Sequence, residues 1–169
     1  MEVVHLGPDH ILAHPKFDHC RDAYIDDLLA LYEFCPQRVE LMLDAGRIIV
    51  YAALMASWGG YRDEDPTTLP TIGRLKRMVD LFQIASPRQI DRILSRFAQM
   101  GHVEIAPVAD DLRMRVVLPT ASLIAHDCDF IRVHYRALET ARPMRGAWIA
   151  ALEPLAKDII PAEPLLLRF

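Results

Sequence analysis

The sequence predicts a mainly α-helical fold carrying one small β-hairpin, on three observations. Apolar residues recur at helical spacing in successive segments over 20–35, 37–58, 71–82, 86–100 and 120–141. After Gly101 the period changes from 3.6 to 2, as in a pair of short strands. Apolar residues make up 52% of the 169, enough for a sizeable core and unlike a disordered chain.

Residues 1–19 hold two prolines and four histidines with little periodicity and read as an irregular arm. Tyr24, Leu28, Leu31 and Cys35 then mark a helix over 20–35, punctuated by Pro36. One long helix is expected from Gln37 to Trp58, with Val39, Met42, Leu43, Ile49, Val50, Ala53 and Leu54 on its apolar face. Its second half, IIVYAALMASW, is apolar nearly all round, which marks a central buried helix that ends at Gly59-Gly60. YRDEDPTTLP follows as a polar loop, and Ile72, Leu75, Val79 and Phe82 give the next helix, 71–82, one apolar side.

After the tight connection QIA comes the clearest local signal. Ser86-Pro87-Arg88-Gln89 is a capping box with proline at the first helical position, and the helix it opens should run to Met100 and stop at Gly101. Val103 and Ile105 alternate with Glu104 in the first strand; PVADD turns the chain; Arg113 and Arg115 alternate with Met114 and Val116 in the second. Pro119-Thr120 ends the hairpin. Ile124, Cys128, Ile131, Tyr135 and Leu138 then form a seam of coiled-coil type, and a last helix is expected over roughly 145–158. The expected division is an arm over 1–19, core or dimerisation helices over 20–58, a helix-helix-hairpin lobe over 59–120 and C-terminal helices over 121–169.

Composition excludes several classes. The longest uncharged stretch, Ile48 to Tyr61, is too short to span a bilayer, and no signal peptide is visible, so a cytoplasmic location is expected. The three cysteines are widely spaced and suggest neither a disulfide framework nor a zinc ribbon. Cys20, beside His19 and Arg21, is the best candidate for a reactive thiol, against the plainer reading of three buried cysteines. His126, Asp127, Cys128, Asp129 and His134 lack metal-ligand spacing, as do His5, His10, His14 and His19, so no metal or cofactor is expected. No nucleophile motif, phosphate loop or dinucleotide fingerprint occurs, which argues against an enzyme. The apolar tail LLLRF calls for cover from the body, a partner or further chain.

Net charge is −4, yet residues 71–115 carry eight basic and five acidic residues, a local +3 within an otherwise acidic chain. On the 86–100 helix, Arg88, Arg92, Ser95, Arg96 and Gln99 fall within about 100° of one another, opposite Ile90, Ile93, Leu94 and Phe97. Such a helix can seat its apolar face on a neighbour and offer arginines to a major groove, where guanidinium pairs with guanine or phosphate. Ser86 and Gln89 stand at the same end. Arg113 and Arg115 extend the pattern to the hairpin. The plainer alternatives are a solvated helix face and hairpin arginines paired with Asp110, Asp111 or Glu104.

Helix, tight turn, capped helix and two-stranded wing together make a known DNA-reading arrangement, the winged helix-turn-helix. Within it the sequence resembles the MarR-like family of regulators, well over 71–120 and loosely over 20–141. Gly101-His102-Val103 is similar to the opening of that family's wing. Asp111-Leu112-Arg113, followed by Val117 and Thr120, resembles its Asp-Arg-Arg, valine and threonine pattern, with leucine in place of the middle arginine. The resemblance implies a transcription regulator that binds duplex DNA as a homodimer through intertwined terminal helices, and often a small-molecule effector. A winged helix serving only as a protein-interaction module is the alternative, favoured by the acidic total charge and by Leu112.

Overall fold

In the computed structural model, which describes residues 8–33, 36–108 and 111–141, the chain runs α1 (Pro8–Leu12), α2 (Phe17–Glu33), α3 (Pro36–Val39), a 3-10 turn (Glu40–Met42) and α4 (Ala45–Gly59). A second 3-10 turn (Pro66–Thr68) leads to α5 (Ile72–Asp80), α6 (Pro87–Gln99), β1 (Val103–Val108), β2 (Asp111–Pro119) and α7 (Ala121–Ala141). The expected last helix over 145–158 lies outside the described residues, as do Cys35, Asp110 and the tail. The described residues divide into two units, one of 36–126 and one of 8–33 with 127–141.

The first unit is a lobe built on α4. Val50, Tyr51, Ala53 and Leu54 of that helix are buried against Leu75 and Val79 of α5, Ile90, Leu94 and Phe97 of α6, and Val103 and Val117 of the hairpin. The two strands pair antiparallel from Val103↔Pro119 to Pro107↔Arg115. Two short α-helices, the second capped, then a two-stranded hairpin: the lobe is a winged helix-turn-helix. A small second cluster, Leu69, Val116 and Leu118 with Trp58 and Tyr61 against it, supports the hairpin from beneath. The N–H of Val117 donates to the Pro70 carbonyl at 2.8 Å, and Thr71 bridges Val116, so the segment entering α5 borders the second strand.

Several local expectations are corrected. The single helix over 37–58 is two helices, because Asp44 is extended (φ −149°, ψ 158°) and its carboxylate accepts from the Arg47 N–H, capping a new start. That break turns Leu43 out to 60% exposure and puts Leu41, rather than Val39 or Leu43, in the core. Helix α5 stops at Asp80, and Gln83 takes a positive φ of 52°, so Phe82 is exposed instead of facing the core. Residues of the expected irregular arm are helical over Pro8–Leu12 and again from Phe17.

In the hairpin, pairing jumps from Pro107↔Arg115 to Val108↔Asp111, leaving Leu112, Arg113 and Met114 unmatched on β2. Pro107 has no N–H to continue the ladder, and the extra residues form a bulge. Alternation fails there, and Met114, expected inward, is exposed.

The second unit packs α2 on the later part of α7. The His134 Nδ1 lies 2.7 Å from the Phe130 carbonyl, an acceptor, and so carries a proton; Nε2 lies 3.0 Å from the Tyr24 hydroxyl. Arg136 reaches both carboxylate oxygens of Asp27 at 3.2 Å. Both nitrogens of His134 are thus engaged within this unit.

Helix α6 closes in a Schellman motif. The N–H of Gly101 donates to the Ala98 carbonyl (3.0 Å), that of His102 to the Phe97 carbonyl (2.9 Å), and Gly101 has φ +73°. A Cβ there meets no atom within 4 Å, so the cost of a side chain is backbone strain alone. Gly101→Ala is expected to lower stability by about 1 kcal/mol and Gly101→Asn by less. Urea unfolding checks this; equal losses in both variants would mean that φ is not the cause.

Candidate nucleic-acid interface

Helix α6 is fixed at both ends and along one face, and this decides what its other face can do. At the start, Ser86 Oγ accepts from the Gln89 N–H at 3.3 Å while Gln89 Oε1 accepts from the Ser86 N–H at 2.8 Å, so the capping box is complete. Along the inner face Ile90, Leu94 and Phe97 are each 1% exposed. Asp91 adds a clamp to the preceding helix, 2.7 Å from Lys76 Nζ.

With that face seated, Arg88, Arg92, Ser95, Arg96 and Gln99 all lie exposed, as the helical spacing required. Their engagements differ. Among the described residues, no carboxylate pairs with Arg88 or Arg92. Ser86 and the amide oxygen of Gln89 are occupied by the cap. Arg96 is held: its Nε and Nη2 donate to the two carboxylate oxygens of Glu40 at 3.1 and 2.9 Å. Arg113 and Arg115 are exposed on the hairpin and likewise have no carboxylate partner among the described residues. The Arg113 N–H is bonded by the Asp111 carboxylate at 2.9 Å, which shapes the bulge.

Glu40 is the residue that the sequence reading missed. It lies 56 positions from Arg96, and the single helix expected over 37–58 gave no reason to bring it to α6. The 3-10 turn at Glu40–Met42 presents it there, and it also stands 3.8 Å from Arg47 Nη1. The hydrogen bond from Arg96 holds the Glu40 carboxyl below its usual range, and the charges of Arg96 and Arg47 act the same way. A cleft of about 430 Å³ opens beside this pair, lined by Gly46 and Arg47 of α4, Ile84 and Ala85 of the turn, and Arg92 and Arg96 of α6.

Two of the three cysteines lie among the described residues. Cys20 is buried, and Cys128 is half-buried with its thiol pushed up by burial and then by Asp127.

No protein-family model matches the chain, and no curated protein matches it in sequence. Among solved structures it is similar to a MarR family transcriptional regulator from Streptomyces coelicolor in complex with DNA. The identity is 15% and the TM-score 0.42, over 94% of this chain and 89% of that one. A likeness at that level decides nothing about the interface; the winged-helix description rests on the element order, the cap and the strand pairing.

The Glu40–Arg96 pair has a consequence in acid. A carboxyl whose folded pKa is lowered adds stability above its unfolded pKa and loses it as pH falls through the folded value. The pair should therefore persist below pH 4.5, the ordinary value for Glu. A carboxyl NMR titration is expected to place the Glu40 midpoint below 4.5 and to move it upward in Arg96→Ala. An unmoved midpoint would show that Arg96 is not the cause.

Proposed function

We propose that this chain is a sequence-specific transcription regulator of MarR-like type that binds duplex DNA as a homodimer. Helix α6 enters the major groove, and the hairpin lies along the backbone or minor groove. The observation that carries the reading is the pair Arg88 and Arg92, exposed on a capped helix whose opposite face is buried. A guanidinium without a carboxylate partner is available for guanine or phosphate at no cost of breaking an ion pair. Arg113 and Arg115 at the bulged hairpin give a second positive contact of the kind a wing makes.

Support for the homodimer comes from apolar side chains left in the open on the N-terminal helices. Ile25 (45% exposed) and Leu29 (65%) stand one helical turn apart on α2, and Ile11 and Leu12 are exposed on α1. Residues four apart on a helix share a face, and a second copy is the cover that a symmetric regulator supplies. One observation favours the alternative of a protein-interaction module. Leu81 (82% exposed) and Phe82 (56%) project from the turn between α5 and α6, where an apolar partner would find them.

Gel shifts on genomic fragments at low salt separate the two readings, since a pure interaction module does not retard DNA. The double variant Arg88→Ala/Arg92→Ala is expected to lose about tenfold or more in duplex affinity. Its plot of log K against log salt should flatten by about 0.9 for each phosphate contact removed. Unchanged affinity and slope in a folded variant would remove α6 as the reading helix.

A further inference from the structure

The cleft beside α6 is lined by guanidinium groups from two helices, and two of the three are already engaged by carboxylates. Arg47, Arg92 and Arg96 line it together with Asp44, and Glu40 meets Arg96 at its edge, outside the lining. Asp44 belongs to Arg47, whose Nε it meets at 3.1 Å while also capping α4. Glu40 belongs to Arg96 through two parallel bonds to two separate oxygens. The pair joins two side chains that are 50% and 30% exposed, so water reaches it and it is free to exchange.

A phosphodiester has what this fork accepts: one negative charge and two non-bridging oxygens in a plane that a guanidinium meets edge-on. We propose that the cleft between the first turn of α4 and helix α6 seats one backbone phosphate of the duplex. In the free protein the Glu40 carboxylate occupies that phosphate's place on Arg96, and the two exchange when DNA binds. Arg47 and Arg92 then flank the same phosphate. The interface thereby extends from α6 to α4, and Arg96 positions the helix on the backbone instead of reading a base. This rests on the DNA-binding reading above and adds to it a competing carboxylate built into the protein.

The test is a double-mutant cycle of Glu40→Gln and Arg96→Ala, read by duplex affinity over a salt series, with thermal melts to confirm folding. Glu64→Gln, in an exposed loop, controls for the change in net charge. Glu40→Gln is expected to tighten binding by roughly threefold or more, beyond Glu64→Gln, with an unchanged salt slope, because both complexes hold the same phosphates. Arg96→Ala should flatten the slope by about 0.9 and abolish the gain from Glu40→Gln.

A Glu40→Gln protein that binds no tighter, or less tightly, would make Glu40 a permanent brace and overturn the exchange. So would a gain that persists without Arg96, or a slope that steepens in Glu40→Gln, which would mean that the wild-type complex never frees Arg96. In each of these cases the loss in Arg88→Ala/Arg92→Ala still upholds DNA binding. Absence of duplex binding in every variant removes both readings. Replacing chloride by inorganic phosphate at constant ionic strength should leave wild-type affinity unchanged; a selective loss would assign the seat to the free ion.

Discussion

Everything that the lobe presents outward depends on three side chains of α6 being held inward. Ile90, Leu94 and Phe97 lie in one core with Val50 and Leu54 of α4 and with Leu75 and Val79 of α5. Each such side chain contributes about 1.5–3 kcal/mol on burial, far more than any surface ion pair. The arginines therefore do not choose their direction. They occupy the remaining arc of a helix whose rotation is set by its apolar residues, and the cap and the Lys76–Asp91 pair then fix its start and tilt.

Much of this was legible in the sequence because it is local. The capping box at Ser86–Gln89, the stop at Gly101 and the change of period into the hairpin depend on residues within one turn of each other, and each forms as its spacing implies. The face carrying Arg88 and Arg92 followed from the same arithmetic. What the sequence concealed was set by single residues acting against a favourable pattern. Asp44 interrupts an otherwise continuous apolar helix because its carboxylate bonds the Arg47 N–H more readily than a mid-helix aspartate bonds anything. Pro107 ends the simple ladder, and Met114 loses its expected place.

The candidate interface was legible in residue type but not in state. Periodicity placed Arg96 outward, and it is exposed; that it is already bound to a carboxylate follows only from a contact spanning 56 positions. Gln89 shows a related case. Its position on the helix suits a groove, but its amide oxygen closes the cap, so one residue serves both the helix end and the exposed face. The interface is therefore a mixture of unengaged cations and cations with prior commitments, a distinction that no count of charge reveals.

Thr120 makes the last link. Its hydroxyl donates toward the carbonyls of Gly101 (2.9 Å) and His102 (3.1 Å) and accepts from the Leu123 N–H (3.3 Å), while its own N–H donates to His102. One side chain thus ties the exit of α6, the base of the hairpin and the first turn of α7 into a single joint. Loss of this one hydroxyl would therefore loosen the exit of α6, the foot of the hairpin and the start of α7 together.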